Sequence, residues 1–137
     1  MLWLASNLRY RARSPLADAQ EGLRLLAERR SVVLITGRSD LARGLTERWL
    51  RRHGLDRYLA ELCFNRTNLR SAQFKLHTLR ERSIPEHIDD DGATALLLAR
   101  QGIRRVYLRD WPGNRGLPYP QAVVRLLSLP AIAAYLE

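Results

Sequence analysis

The sequence predicts an α/β fold, a Rossmann-like parallel sheet of about five strands flanked by helices. Three observations carry this. The run Ser31-Val32-Val33-Leu34-Ile35-Thr36 is continuous, apolar and rich in β-branched residues, as expected of a strand covered on both faces. It ends at Gly37, and the residues that follow place Leu41, Leu45 and Trp49 at spacings of four. The same change of period recurs downstream, where His87-Ile88 leads into Asp89-Asp90-Asp91-Gly92 and then into the helix-forming run Ala95-Leu96-Leu97-Leu98-Ala99.

The remaining elements follow in chain order. Leu2-Trp3-Leu4-Ala5 suits a short buried strand, and residues 7–13 are polar and basic without a period. Ser14 and Pro15 form a helix start, and Leu16, Ala19, Leu23, Leu26 and Ala27 mark one apolar face to about residue 29. After the strand at residues 31–36 comes the helix with Leu41, Leu45 and Trp49 facing inward, closed by Gly54. Residues 59–64 form a third strand, and the polar stretch 65–71 leads to a basic helix over 73–82 carrying Phe74, Leu76 and Leu79. The strand at residues 87–88 precedes a helix over 93–101 that stops at Gly102, and residues 105–108 form the next strand. Turn residues fill 110–116, residues 122–126 form an edge strand, and Ser128 caps a terminal helix reaching Leu136.

Composition sets the scale. The 137 residues, 46% hydrophobic and 27% charged, have the size and make-up of a single domain with one core, without repeats or low-complexity segments. Lys and Arg number 23 against 14 Asp and Glu, a formal charge of +9 that suits an anionic partner but is equally met by a basic solvated surface, since the arginines are spread along the chain. The single cysteine, Cys63, lies between Leu62 and Phe64 and reads as a small buried hydrophobe, so no internal disulfide is possible. No apolar run is long enough to span a membrane, and the first residues lack the basic lead of a signal peptide, so a cytoplasmic protein is expected.

Chemistry concentrates around Asp89-Asp90-Asp91. Three adjacent carboxylates repel unless neutralised, and Mg²⁺ does this with one or two carboxylates while keeping waters that a phosphate can replace. The alternative is a solvated turn that caps the following helix. Thr36 and Gly37 stand where an open α/β sheet places its ligand, and amides at the next helix start suit a phosphate. Thr36 also suits a plain helix-entry residue, and Lys75 a surface lysine. His87 reads as a strand residue near the site, and His53 and His77 as exposed helix positions.

Taken together, Val33-Leu34-Ile35-Thr36-Gly37-Arg38, Phe74-Lys75-Leu76, His87-Ile88-Asp89-Asp90-Asp91 and residues 107–115 resemble the second, third and fourth motifs and the following strand of haloacid dehalogenase (HAD) superfamily phosphatases. The nearest members are those like 5′-nucleotidases and polynucleotide 3′-phosphatases with little or no cap. The resemblance covers about residues 16–126. It implies that Thr36, Gly37 and Lys75 hold phosphate, that Lys75 stabilises charge, and that Asp90 with Asp89 holds Mg²⁺. The implied ligand is a phosphorylated small molecule or a nucleic-acid end.

The first motif of that family, Asp-x-Asp, is missing. If Leu2-Trp3-Leu4 is its strand, the motif positions fall on Ala5, Ser6, Asn7, Leu8 and Arg9, and the chain has no aspartate before Asp18. Ala5 cannot attack phosphorus, Asn7 cannot act as a general acid, and Ser6 has no evident base. The motif is either degenerate or lost upstream of Met1. Two functions follow: a Mg²⁺-dependent phosphohydrolase acting on a nucleotide or polynucleotide phosphate but inactive as this chain stands, or a silent HAD-like pseudoenzyme that binds a phosphate-bearing ligand, nucleic acid or a protein partner.

Overall fold

The structure is a computed structural model, and it describes residues 14–136. The strand expected at Leu2–Ala5 lies outside the described residues. Those described form α1 (Ser14–Ala27), β1 (Val33–Ser39), α2 (Arg43–Arg52), β2 (Glu61–Asn65), α3 (Ser71–Glu81), β3 (Glu86–Asp89), α4 (Gly92–Arg100), β4 (Arg105–Arg109) and β5 (Val123–Leu126).

The α/β class and the parallel strands are as expected, but the single sheet is not. β1 pairs in parallel only with β2, while β3, β4 and β5 form a separate parallel sheet in that order. Both sheets nevertheless lie in one layer, because strand alternation sends their side chains into the same two cores. On one side Leu34 of β1, Ile88 of β3 and Tyr107 of β4 pack with Ala19, Leu23 and Leu26 of α1 and with Leu129 and Ile132. On the other, Ile35 of β1, Cys63 of β2 and Val106 and Leu108 of β4 pack with Phe74, Leu76 and Leu79 of α3 and with Ala95 and Leu98 of α4. The result is three layers, with helical cover on both faces of two short sheets.

Several local expectations are corrected. Gly37 does not end the strand: β1 runs on to Ser39, with its register to β2 shifting between Thr36 and Ser39. Ser39 then caps a short 3₁₀ turn at Asp40–Ala42, its hydroxyl accepting from the Leu41 amide. The apolar face assigned to the next helix is only partly buried, since Leu41 and Leu45 are 95% and 66% exposed while Trp49 is half-buried and packs against the first core. Leu50 is the buried residue of α2, and Trp49 lies against the His53 ring with centroids 4.4 Å apart. The C-terminal segment is a 3₁₀ helix over Leu129–Tyr135 where an α-helix was expected. It is held by Asp18 of α1, whose carboxylate accepts from the Leu129 amide at 2.9 Å and pairs with Arg109 Nε at 3.0 Å. No helix among the described residues is long and apolar enough to cross a membrane.

Candidate functional site

The site is assembled at the C-terminal ends of β1 and β3 by the first turns of α3. Gly37, near the end of β1, abuts Ser71 so closely that a Cβ on Gly37 would fall inside van der Waals contact with its side chain. One turn further along α3, Lys75 reaches across to β3, where its Nζ lies 2.6 Å from Asp89 Oδ2. A single helix therefore touches both strand ends. Thr36 is buried beside Gly37 and its Oγ1 accepts from the Arg38 amide at 3.1 Å, where the register to β2 shifts.

Asp89 is fully engaged. Its Oδ2 also accepts from His87 Nε2 at 2.9 Å, and its Oδ1 accepts from the Asp90 and Asp91 amides at 2.9 and 3.0 Å. Burial works against its charge, but the Lys75 ammonium and the His87 hydrogen bond outweigh burial and hold its pKa well below the usual carboxylate range. Burial lowers the His87 pKa to about 4, so its ring is neutral near pH 7 and donates from Nε2 to the carboxylate. With two donors on each of its oxygens, Asp89 fixes the turn that leads into Asp90.

The three carboxylates thus divide the work. Asp91 is the helix cap that the plainer reading of the triplet expects: its Oδ2 accepts from the Thr94 amide at 3.0 Å and the Thr94 hydroxyl at 2.6 Å. Asp90 is different again. It is 6% exposed, no described side chain donates to its carboxylate, and burial together with the neighbouring Asp89 charge raises its pKa to about 7. Its main chain is clamped instead, the carbonyl accepting from Trp111 Nε1 at 2.8 Å and Asn114 Nδ2 at 2.9 Å.

Those clamping residues come from the loop after β4, turn-rich in sequence and part of the stretch 107–115 that carries the resemblance. Asn114 is buried, donates also to the Arg109 carbonyl at 2.7 Å and accepts from Arg125 of β5 at 2.9 Å. Asp110 ties the loop to Arg115 at 2.8 Å and to Arg125. Gly92 is tightly packed, because a Cβ there would collide with the Tyr119 hydroxyl and approach Asn114 Cβ to 3.2 Å. The Asn114 and Trp111 roles were hidden in sequence, since nothing local relates them to a carbonyl more than twenty residues earlier.

A metal is tested by this donor set. The described residues contain no group of three or more His, Cys, Asp or Glu side chains placed to hold one. Asp90 alone offers a buried carboxylate without a side-chain donor, which fits Mg²⁺ because that ion binds through one or two carboxylates and retains most of its water. Thr36, Gly37 and the Lys75–Asp89 pair lie at the strand ends linked by α3, and His53 and His77 lie outside this cluster. No family model, curated protein or solved structure matches the chain.

Proposed function

We propose that this chain binds a phosphate-bearing ligand, a nucleotide or a nucleic-acid end, together with Mg²⁺ at the C-terminal ends of β1 and β3, in the manner of an HAD-like phosphohydrolase, and that it does so without turnover of its own. The observation that carries the reading is the Asp90 carboxylate, buried at the end of β3 beside the ionised Asp89 of the Lys75 pair, which with burial raises its pKa. Such a group resists ionising in the apo protein, and a divalent cation relieves that cost. Asp90 would hold Mg²⁺, which would supply charge neutralisation for phosphate oxygens. The Thr36 hydroxyl and the Gly37 amide would donate to those oxygens from the other strand end, and Lys75 would lend its positive charge through the pair with Asp89.

The absence of turnover rests on the sequence. If Leu2-Trp3-Leu4 is the strand of the family's first motif, its nucleophile and general-acid positions fall on Ala5 and Asn7, neither of which can do that chemistry, and the alternative is a motif encoded upstream of Met1.

Calorimetric titration of Mg²⁺ with and without inorganic phosphate tests the reading. Weak Mg²⁺ binding, about millimolar for a site with one carboxylate, should strengthen when phosphate is present and disappear in Asp90→Asn. Thr36→Val should weaken phosphate more than Mg²⁺. Phosphate binding indifferent to both substitutions would overturn the site. Mg²⁺-dependent hydrolysis of p-nitrophenyl phosphate would overturn the silent half of the proposal.

A further inference from the structure

α2 buries one side and leaves the opposite one to solvent. Leu50 fixes the buried side, and opposite it at helical spacing Leu45, Arg48 and Arg52 line the outer face, with Leu41 one turn before them. The two leucines are 95% and 66% exposed, so the fold gains little from them. A Cβ on Gly44 would lie 3.9 Å from a guanidinium nitrogen of Arg48, which places that charge back along the helix beside the leucines. Arg48, Arg51 and Arg52 are exposed, and no carboxylate among the described residues pairs with them. Asp40 and Glu47, the acids of the preceding turn and of the helix itself, are both held by Arg43, at 3.0 and 3.6 Å. The outer face of α2 is therefore apolar and cationic at once.

We propose that this face docks on an anionic lipid surface, with Leu41 and Leu45 entering the boundary between headgroups and acyl chains and Arg48 and Arg52 meeting lipid phosphates. Leucine and arginine side by side decide the occupant. The phosphates of a nucleic acid would match the arginines but leave both leucines in water. A second copy would cover the leucines but set arginine against arginine, and two leucines present far less apolar area than a stable dimer buries. A bilayer with anionic headgroups takes both groups at once, because long arginine side chains reach headgroup phosphates while neighbouring apolar side chains go deeper. The net charge of +9 adds a long-range attraction to the same surface. With 10 residues α2 is too short to span a bilayer, so it lies along the surface. Docking here is independent of phosphate binding at the strand ends, since Thr36, Lys75 and Asp90 are buried away from this face.

Co-sedimentation with vesicles at about 0.15 M salt tests it, comparing phosphatidylcholine alone with phosphatidylcholine carrying about 30% phosphatidylserine. The full chain should partition to the anionic vesicles at least about tenfold more strongly. Leu41→Ser combined with Leu45→Ser leaves the charge unchanged and should lower that partition by about tenfold or more. Arg48→Gln combined with Arg52→Gln should lower it by about fivefold for each arginine. All four positions are exposed, so the variants keep the fold. No partition to anionic vesicles would overturn the proposal, as would partition that the leucine variant leaves unchanged, which marks a basic surface without an inserted face. Binding of a single-stranded oligonucleotide in place of vesicles, lost in the arginine variant, would overturn it in favour of nucleic acid. A dimer seen by light scattering and lost in the leucine variant, without vesicle binding, would overturn it in favour of a second copy.

Discussion

The Lys75 ammonium and the Asp89 carboxylate lie 2.6 Å apart with both side chains about 1% exposed, joining α3 to the end of β3 inside the protein. A buried pair of this kind contributes little net stability relative to a well-packed apolar pair, but breaking it leaves one charge stranded. Lys75→Met should therefore destabilise the fold by about 3–5 kcal/mol, and Lys75→Met combined with Asp89→Leu should recover a large part of that loss. Urea denaturation of the single and double variants gives the comparison. Equal stability of Lys75→Met and wild type would mean that the pair is not formed.

Asp90 makes stability depend on pH in a definite direction. Its pKa rises from an ordinary 3.8 to about 7 in the folded state, so the folded protein holds a proton that the unfolded chain releases. The stabilisation linked to that proton is fully present below the ordinary value and is lost as pH rises through about 7. Asp90→Asn removes this dependence. At about pH 8 and without divalent cation, the variant should be the more stable protein by about 2–4 kcal/mol, with the gap closing toward about pH 4. A difference that grows on acidification would contradict the raised pKa.

The same titration governs the proposed metal. Mg²⁺ takes the ionised carboxylate, so its affinity should fall close to tenfold per pH unit below the folded pKa of about 7 and level off above it. Calorimetry across that range reads the profile. An affinity that is flat with pH would remove Asp90 as the ligand.

Gly92 is a test of the clamp on Asp90. Gly92→Ala forces the new methyl against the Tyr119 hydroxyl and should cost about 1–3 kcal/mol. Tyr119→Phe in the same chain should recover part of it, while the closer approach to Leu117 and Asn114 persists. Thermal unfolding of the three variants decides whether the hydroxyl is the obstacle.

The exposed leucines in and just before α2 are tested against the buried one. Leu41→Ser and Leu45→Ser should each change stability by no more than about 0.5 kcal/mol, as for exposed positions. Leu50→Ala, at 2% exposure, should cost about 2–4 kcal/mol. Losses of similar size at all three sites would restore the face that the spacing of Leu41, Leu45 and Trp49 suggests.

The elements were legible where hydrophobic period and turn chemistry agree. The apolar run before Thr36 and the helix face of Leu23 and Leu26 are local signals, and so is Gly102 after α4. Each appears in the structure within a few residues of its expected place. Spacing misled at α2, because a period of four marks a face without saying which face the core takes. Tertiary packing chose Leu50 and left Leu41 to solvent.

The site shows the same division between local and long-range information. Local patterns, carboxylates and small residues at strand ends, brought Thr36, Gly37 and the aspartates forward as candidates, while Lys75 came forward only through the family resemblance. It could not assign the three aspartates their separate roles. Asp91 caps α4 through a contact three residues away, which sequence can anticipate, but Asp89 was claimed by Lys75 from another helix and Asp90 was clamped by Trp111 and Asn114 from a later loop. A carboxylate's charge state and availability depend on burial and on partners distant in sequence. Only the folded chain decides those, and it decided that one acidic run would hold a structural ion pair, a buried acid with a raised pKa and a helix cap side by side.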